Sequence, residues 1–198
     1  MNDDEMKSYF GIYLQRGRDA MLWKLEGLSE YDVRRPLVPS GTNLLGLIKH
    51  LVNVEAEYFG ACFGRPFDEK LAWAANMDVP NIDMWATADE SRDYIVGLYR
   101  KAMAHADRTI AELDLEAEGS VPWWPEERRR TTLHRILVHV AVETHRHAGH
   151  ADIVRELIDG AAGAHPAYSN LPPDVDKAWW DDYRANLERV AREAGGVG

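Results

Sequence analysis

Between Leu133 and Val154 apolar residues recur with a helical period, and four polar side chains, His139, Glu143, His147 and His150, interrupt them at spacings of four, four and three. At 3.6 residues per turn those spacings place all four on one stripe of one helix. The remainder of the run is apolar enough to need covering by neighbouring elements, so the stripe faces an interior or a cleft. A chain with such a segment is expected to fold as an assembly of packed helices.

The rest of the sequence agrees with an all-α fold. Residues 3–28 form a first amphipathic helix with Tyr9, Ile12, Tyr13, Met21, Leu22, Leu25 and Leu28 as its inward stripe. It ends near Gly27, and Arg34–Pro39 leads out as an extended loop. A second helix starts near Ser40 to Thr42, which offer N-caps, and runs to about Phe63, where Gly64 and Pro66 stop it. Residues 65–86 show no helical period but hold Trp73, Met77, Met84 and Trp85. A loop of that length is either a functional lid or a surface excursion pinned by its tryptophans.

Thr87–Glu90 has the capping-box pattern and predicts a third helix to about Leu113. Residues 114–130 form a connection holding Trp123, Trp124 and Pro125, and the fourth helix covers about 131–159. After a Gly- and Pro-containing linker at 160–173, residues 174–194 predict a short last helix packed through Trp179, Trp180, Tyr183, Leu187 and Val190. No strand alternation is sustained. The expectation is one domain over residues 1–198, a four-helix bundle with crossover connections, with 160–198 as linker and extra helix.

Charge removes several function classes. The 23 basic and 33 acidic residues give a formal charge of −10, which repels phosphate-rich partners, so nucleic-acid binding is not expected. No apolar window reaches the length of a membrane span. The first residues are acidic and lack the order of a secretory leader, and the single cysteine, Cys62, has no intrachain partner. Both features predict a cytoplasmic protein.

The stripe is half of a metal site. A carboxylate at Glu143 and an imidazole at His147 lie one turn apart, about 5–6 Å between Cβ atoms, a gap one ion bridges. Burying that carboxylate without compensation costs several kcal/mol. His50, in the apolar run Leu47–Val52 of the second helix, is the best candidate for the other half. Two ligands from one helix and one from another leave an open position, as in catalytic zinc sites. Neither Glu-x-x-His nor His-Glu-x-x-His occurs, which excludes di-iron carboxylate and zincin-type motifs. Spacing alone leaves several roles open: His139 also pairs with Glu143, and His150 is an alternative ligand, a proton shuttle or an outer hydrogen-bond partner. Gly149 costs helix stability by about 1 kcal/mol relative to Ala, which suggests close approach of a neighbour or space beside the metal. Cys62 falls about 120° around the helix from His50 and is expected to pack in the core. Asn53 and Glu57 follow His50 on roughly its own face.

Ser40–Leu51 together with Glu143–Asp152 resembles the DinB/YfiT-like superfamily, and more narrowly the actinobacterial branch related to mycothiol-dependent maleylpyruvate isomerase. The resemblance extends to the ending Ala178–Arg184. Most of that superfamily binds its metal through three histidines, and the middle position here is Glu143, as in the isomerase branch. The resemblance therefore implies Zn²⁺ (or another divalent ion such as Ni²⁺) held by His50, Glu143 and His147, with His150 beside it as the catalytic candidate. It implies a transferase or isomerase that uses a low-molecular-weight thiol such as mycothiol, as a metal-bound thiolate, against a small-molecule electrophile. It is also compatible with a homodimer. Arg128, Arg129 and Arg130 with Trp123 and Trp124 either hold a carboxylated or sugar-bearing thiol or form a solvated charge run beside a packed pair. Two other readings stay open on the residues: a non-enzymatic interaction module with a structural or vestigial metal, and a metal-dependent hydrolase using His150 or Glu57 as base.

Overall fold

A computed structural model describes residues 2–76 and 78–197, so Met77 lies outside it. The chain is mostly helical, with long helices α1 (Asp3–Trp23), α3 (Leu44–Tyr58), α4 (Arg92–Glu112) and α6 (Leu133–Asp159). Shorter elements join them: α2 (Glu30–Arg34), α5 (Glu126–Arg129) and a two-stranded antiparallel pair, β1 (Glu118–Ser120) and β2 (Arg130–Thr132). A last helix, α7, covers Lys177–Gly195. No described helix is long and apolar enough to cross a membrane.

Helix α3 is the hub. It is buried almost all round, from Leu44 to Ala56, because it packs on α4 along one side and on α6 along another, while α1 closes the bundle against α6. Arg18 ties α1 into this arrangement. Its buried guanidinium donates from Nε and Nη2 to both Glu55 oxygens at 2.7 and 2.8 Å, and from Nη1 to Asp107 at 2.7 Å. Burial disfavours the charge on Arg18, yet the two carboxylates outweigh that cost and hold it firmly protonated. One side chain thus links α1, α3 and α4.

Several boundaries differ from the sequence-based expectation, each for a local reason. Helix α1 stops at Trp23 rather than near residue 28, because Arg155 of α6 takes the free carbonyls of Lys24 and Glu26 at 3.0 and 2.9 Å. The segment before Arg35 contains the short helix α2, capped by Ser29. Helix α3 is capped by Asn43, not by Ser40 to Thr42, and gives way after Tyr58 to a single 3-10 turn at Ala61–Phe63. Helix α4 opens one turn later than the capping-box pattern implied. The Glu90 carboxylate does accept the Thr87 N–H at 2.8 Å, but it also accepts from buried Lys49, and Ser91 caps the helix instead.

The connection at 114–130 is not featureless. Strands β1 and β2 pair Gly119 opposite Thr131 and lie against Phe63, where a Cβ at Gly119 would approach the ring to 2.7 Å. This holds the loop carrying Trp123 and Trp124 over the end of α3. Helix α7 departs most from expectation: none of its residues is buried, and Trp179, Tyr183, Leu187 and Val190 are exposed. Its aromatic residues pack on each other, Trp179 stacked on Tyr183 at 5.2 Å between centroids.

Arg18→Met should destabilise the fold by about 3–5 kcal/mol, since it strands the Glu55 charge in the core. The double variant Arg18→Met, Glu55→Met should recover most of that loss in urea unfolding. Equal losses in the single and double variants would show that the pair is not the strut described.

Candidate metal centre

His50 from α3 and Glu143 and His147 from α6 converge, their ligand atoms all within 4.8 Å of one another. The Nε2 atoms of His147 and His50 stand 2.9 and 3.8 Å from the same oxygen, Glu143 Oε1. Zinc bound at 2.0–2.1 Å in tetrahedral geometry would separate its ligands by about 3.3 Å, so these spacings bracket a coordination edge. The donors are of the right kind: two imidazole nitrogens and one carboxylate oxygen. Burial works against the Glu143 charge, but His147, His50 and Arg146 outweigh it and hold the carboxyl below the usual range. Burial and the neighbouring His50 lower His147, against the opposing pull of Glu143, whose Oε1 its Nε2 contacts.

The 65–86 segment supplies the residue that orients His50. Asp83 Oδ2 accepts the Nδ1–H of His50 at 2.8 Å, and the other ring nitrogen, Nε2, faces Glu143. That bond to His50 pulls the Asp83 carboxyl below its ordinary value. Asn53 donates to the same oxygen at 3.3 Å and accepts from Trp73 Nε1 at 3.0 Å. The backbone beside Asp83 is fastened to α3. Asn43 donates to the Met84 carbonyl at 3.1 Å, and Lys49 donates to the Trp85 carbonyl at 2.9 Å. A Cβ at Gly46 would lie 1.8 Å from the Met84 carbonyl oxygen, so only glycine lets the segment seat. The long loop is a buttress rather than a free lid, with Trp73 buried as its pin and Trp85 held by its backbone.

His150 lies behind His147, Nδ1 to Nδ1 at 3.4 Å. When His147 offers Nε2 as a ligand its proton sits on Nδ1, where His150 is the available acceptor. Neither His150 nor His139 belongs to the converging group, and among the described residues no fourth His, Cys, Asp or Glu joins it. His139 instead packs against Tyr58 and Trp124, at 4.7 and 5.1 Å between ring centroids. Gly149 faces open space: an added Cβ would meet nothing within 4 Å, so no neighbouring helix approaches it. Cys62 is buried, and burial together with the Glu57 charge pushes its thiol up to about 12, which makes it inert as a nucleophile. Glu57 is half-buried, its carboxyl raised by burial and by Asp83.

Sequence reasoning missed Asp83, which sits in a segment without period. Asn53, three residues after His50 and bonded to Asp83, was the available signal. Tyr58 was missed as well, although it lies two turns beyond His50 on the same helix. Its hydroxyl accepts both indole N–H groups, Trp123 at 3.1 Å and Trp124 at 3.2 Å, and so fixes the aromatic wall beside the triad. The arginine run divides: Arg129 donates to the Trp124 carbonyl and Arg130 pairs with Glu118.

The model of one protein family, described as mycothiol-S-transferase, matches residues 10–160. That span includes the bundle and the triad but stops short of α7 and the Ala178–Arg184 ending. A comparison with curated proteins finds none that matches the chain.

Asp83→Asn should lower zinc affinity by about 10–100-fold, read by competition with a chromophoric chelator. Gly46→Ala should change it in the same direction by displacing the Met84 carbonyl and Asp83 with it. Wild-type affinity in both would show that Asp83 does not orient His50. Gly149→Ala should raise stability by about 1 kcal/mol in thermal unfolding and leave zinc affinity unchanged.

Proposed function

The chain belongs to the mycothiol-S-transferase family, which is DinB-like, and from that premise we propose that it is a zinc-dependent S-transferase joining a low-molecular-weight thiol to a small electrophile. The observation that carries this reading is the incomplete donor set: His50, Glu143 and His147 converge with no fourth protein ligand among the described residues. A structural zinc closes its sphere with four protein ligands; a catalytic one keeps a position for substrate. A divalent cation held there supplies Lewis acidity and favours an incoming thiol as its thiolate near neutral pH.

The protein's own residues set the conditions for that chemistry. Asp83 accepts from His50 Nδ1 and so orients the ring, and Glu143 contributes the one carboxylate among the three ligands. His150 Nδ1 stands 3.4 Å from His147 Nδ1, placed to accept its hydrogen bond and to relay a proton out of the site. The thiol must come from solution, because Cys62 is buried and held protonated. Mycothiol is the thiol the family description supports. Transfer is preferred over isomerisation on the same ground.

Purified protein should carry about one divalent ion per chain, and His50→Ala and His147→Ala should lose it while keeping the helical circular dichroism of the parent. Electrophile consumption should require added thiol and follow the metal. Turnover without thiol would favour a hydrolase, and protein that stays metal-free after zinc reconstitution would make the bundle a non-enzymatic interaction module.

A further inference from the structure

We propose that the groove between the Trp124 loop and α6 binds a carboxylate-bearing organic acid with an apolar or aryl body, and that this is the seat of the second substrate. The groove has a volume of about 640 Å³ and is lined by Trp124, Arg128, His134, Arg135, Val138, His139 and Val142. That size suits a small organic ligand. Its floor is the stretch of α6 immediately before the triad. His139 belongs to the groove and precedes Glu143 by one turn, about 6 Å along the helix axis. An occupant therefore lies within reach of anything bound at the triad.

Charge identifies the ligand class. The protein carries a formal charge of −10, and most of its arginines are engaged by carboxylates. Arg128 and Arg135 have no carboxylate within 4 Å among the described residues, although Glu126 and Glu127 are next to Arg128 in sequence. Arg135 instead stands over the Trp124 ring, 4.9 Å from its centroid. Two uncompensated guanidiniums in one wall, each able to donate in a fork, suit a carboxylate better than a neutral polar group. Trp124, Val138 and Val142 provide apolar surface for the body of the ligand. The wall is set in advance, since Tyr58 holds the Trp124 indole at 3.2 Å and Arg129 holds the Trp124 carbonyl at 3.0 Å.

The role as second-substrate seat rests on the transferase reading; binding of the acid does not. The test uses full-length protein with EDTA present, titrated with 3-phenylpropanoate and its amide, 3-phenylpropanamide, by calorimetry and saturation-transfer NMR. The acid should bind at least about tenfold more tightly than the amide at low salt. The variant with Arg128→Gln and Arg135→Gln, both exposed positions, should lose that preference while keeping the parent's circular dichroism. Equal binding of acid and amide, no binding of either, or an unchanged preference in the double variant would each overturn the assignment. So would binding that appears only with zinc and vanishes in His147→Ala, because the ion and not the groove would then be holding the acid. A protein that fails to bind zinc leaves all the EDTA arms readable, so the two readings fail separately.

Discussion

Glu143 is a carboxylate held between two imidazoles and partly withdrawn from water, and the architecture around it follows from how that charge is kept. Isolated, it would be costly to bury. His147 one turn along α6 and His50 across on α3 offset that cost, and they reach the carboxylate only because the two helices are held face to face. The Arg18 fork on Glu55 and Asp107 performs a parallel task on the other side of α3. The central helix is thus braced by a buried ion pair on one side and carries His50 of the converging triad on the other.

The segment between α3 and α4 looks like an insertion but serves that helix directly. Asn43, Gly46, Lys49, His50 and Asn53 all meet it, and all lie in the cap or the first three turns of α3. Through these contacts the backbone position of one loop sets the orientation of one histidine ring. The second carboxylate thus acts at one remove from the donor set, through the ring of His50. On the opposite flank the β1–β2 pair presents Trp124 and leaves Arg128 and Arg135 facing the groove. A predominantly acidic molecule thereby carries a locally cationic groove one turn of α6 before the triad.

The fold class was legible in the sequence because it rests on helical periodicity; periodicity supplied the candidates for the site, and the family resemblance selected His50, Glu143 and His147 among them, the three that converge. His139, Glu143, His147 and His150 announce one stripe, and the apolar run around His50 announces a buried partner. What periodicity does not encode was missed. Asp83 reaches the site from a segment whose position is set by a glycine contact and two side-chain bonds to carbonyls. Arg135 looks like any solvent-facing helix residue until Trp124 is folded over it. The packed role expected of Trp179, Trp180 and Tyr183 failed for the converse reason: an amphipathic stripe states that a face is apolar, not that this chain covers it. Glu90 shows the same limit at short range, since a capping-box carboxylate was claimed by Lys49, distant in sequence.

On the proposed function, the three-ligand site keeps a position for a thiol. Substituting Co²⁺ and recording the visible and near-ultraviolet spectrum before and after addition of mycothiol tests it most directly. A tetrahedral cobalt spectrum that gains a sulfur-to-metal charge-transfer band on thiol addition, and fails to gain it in His147→Ala, is the result this account predicts. A four-ligand spectrum indifferent to thiol would contradict it and identify the ion as a structural staple.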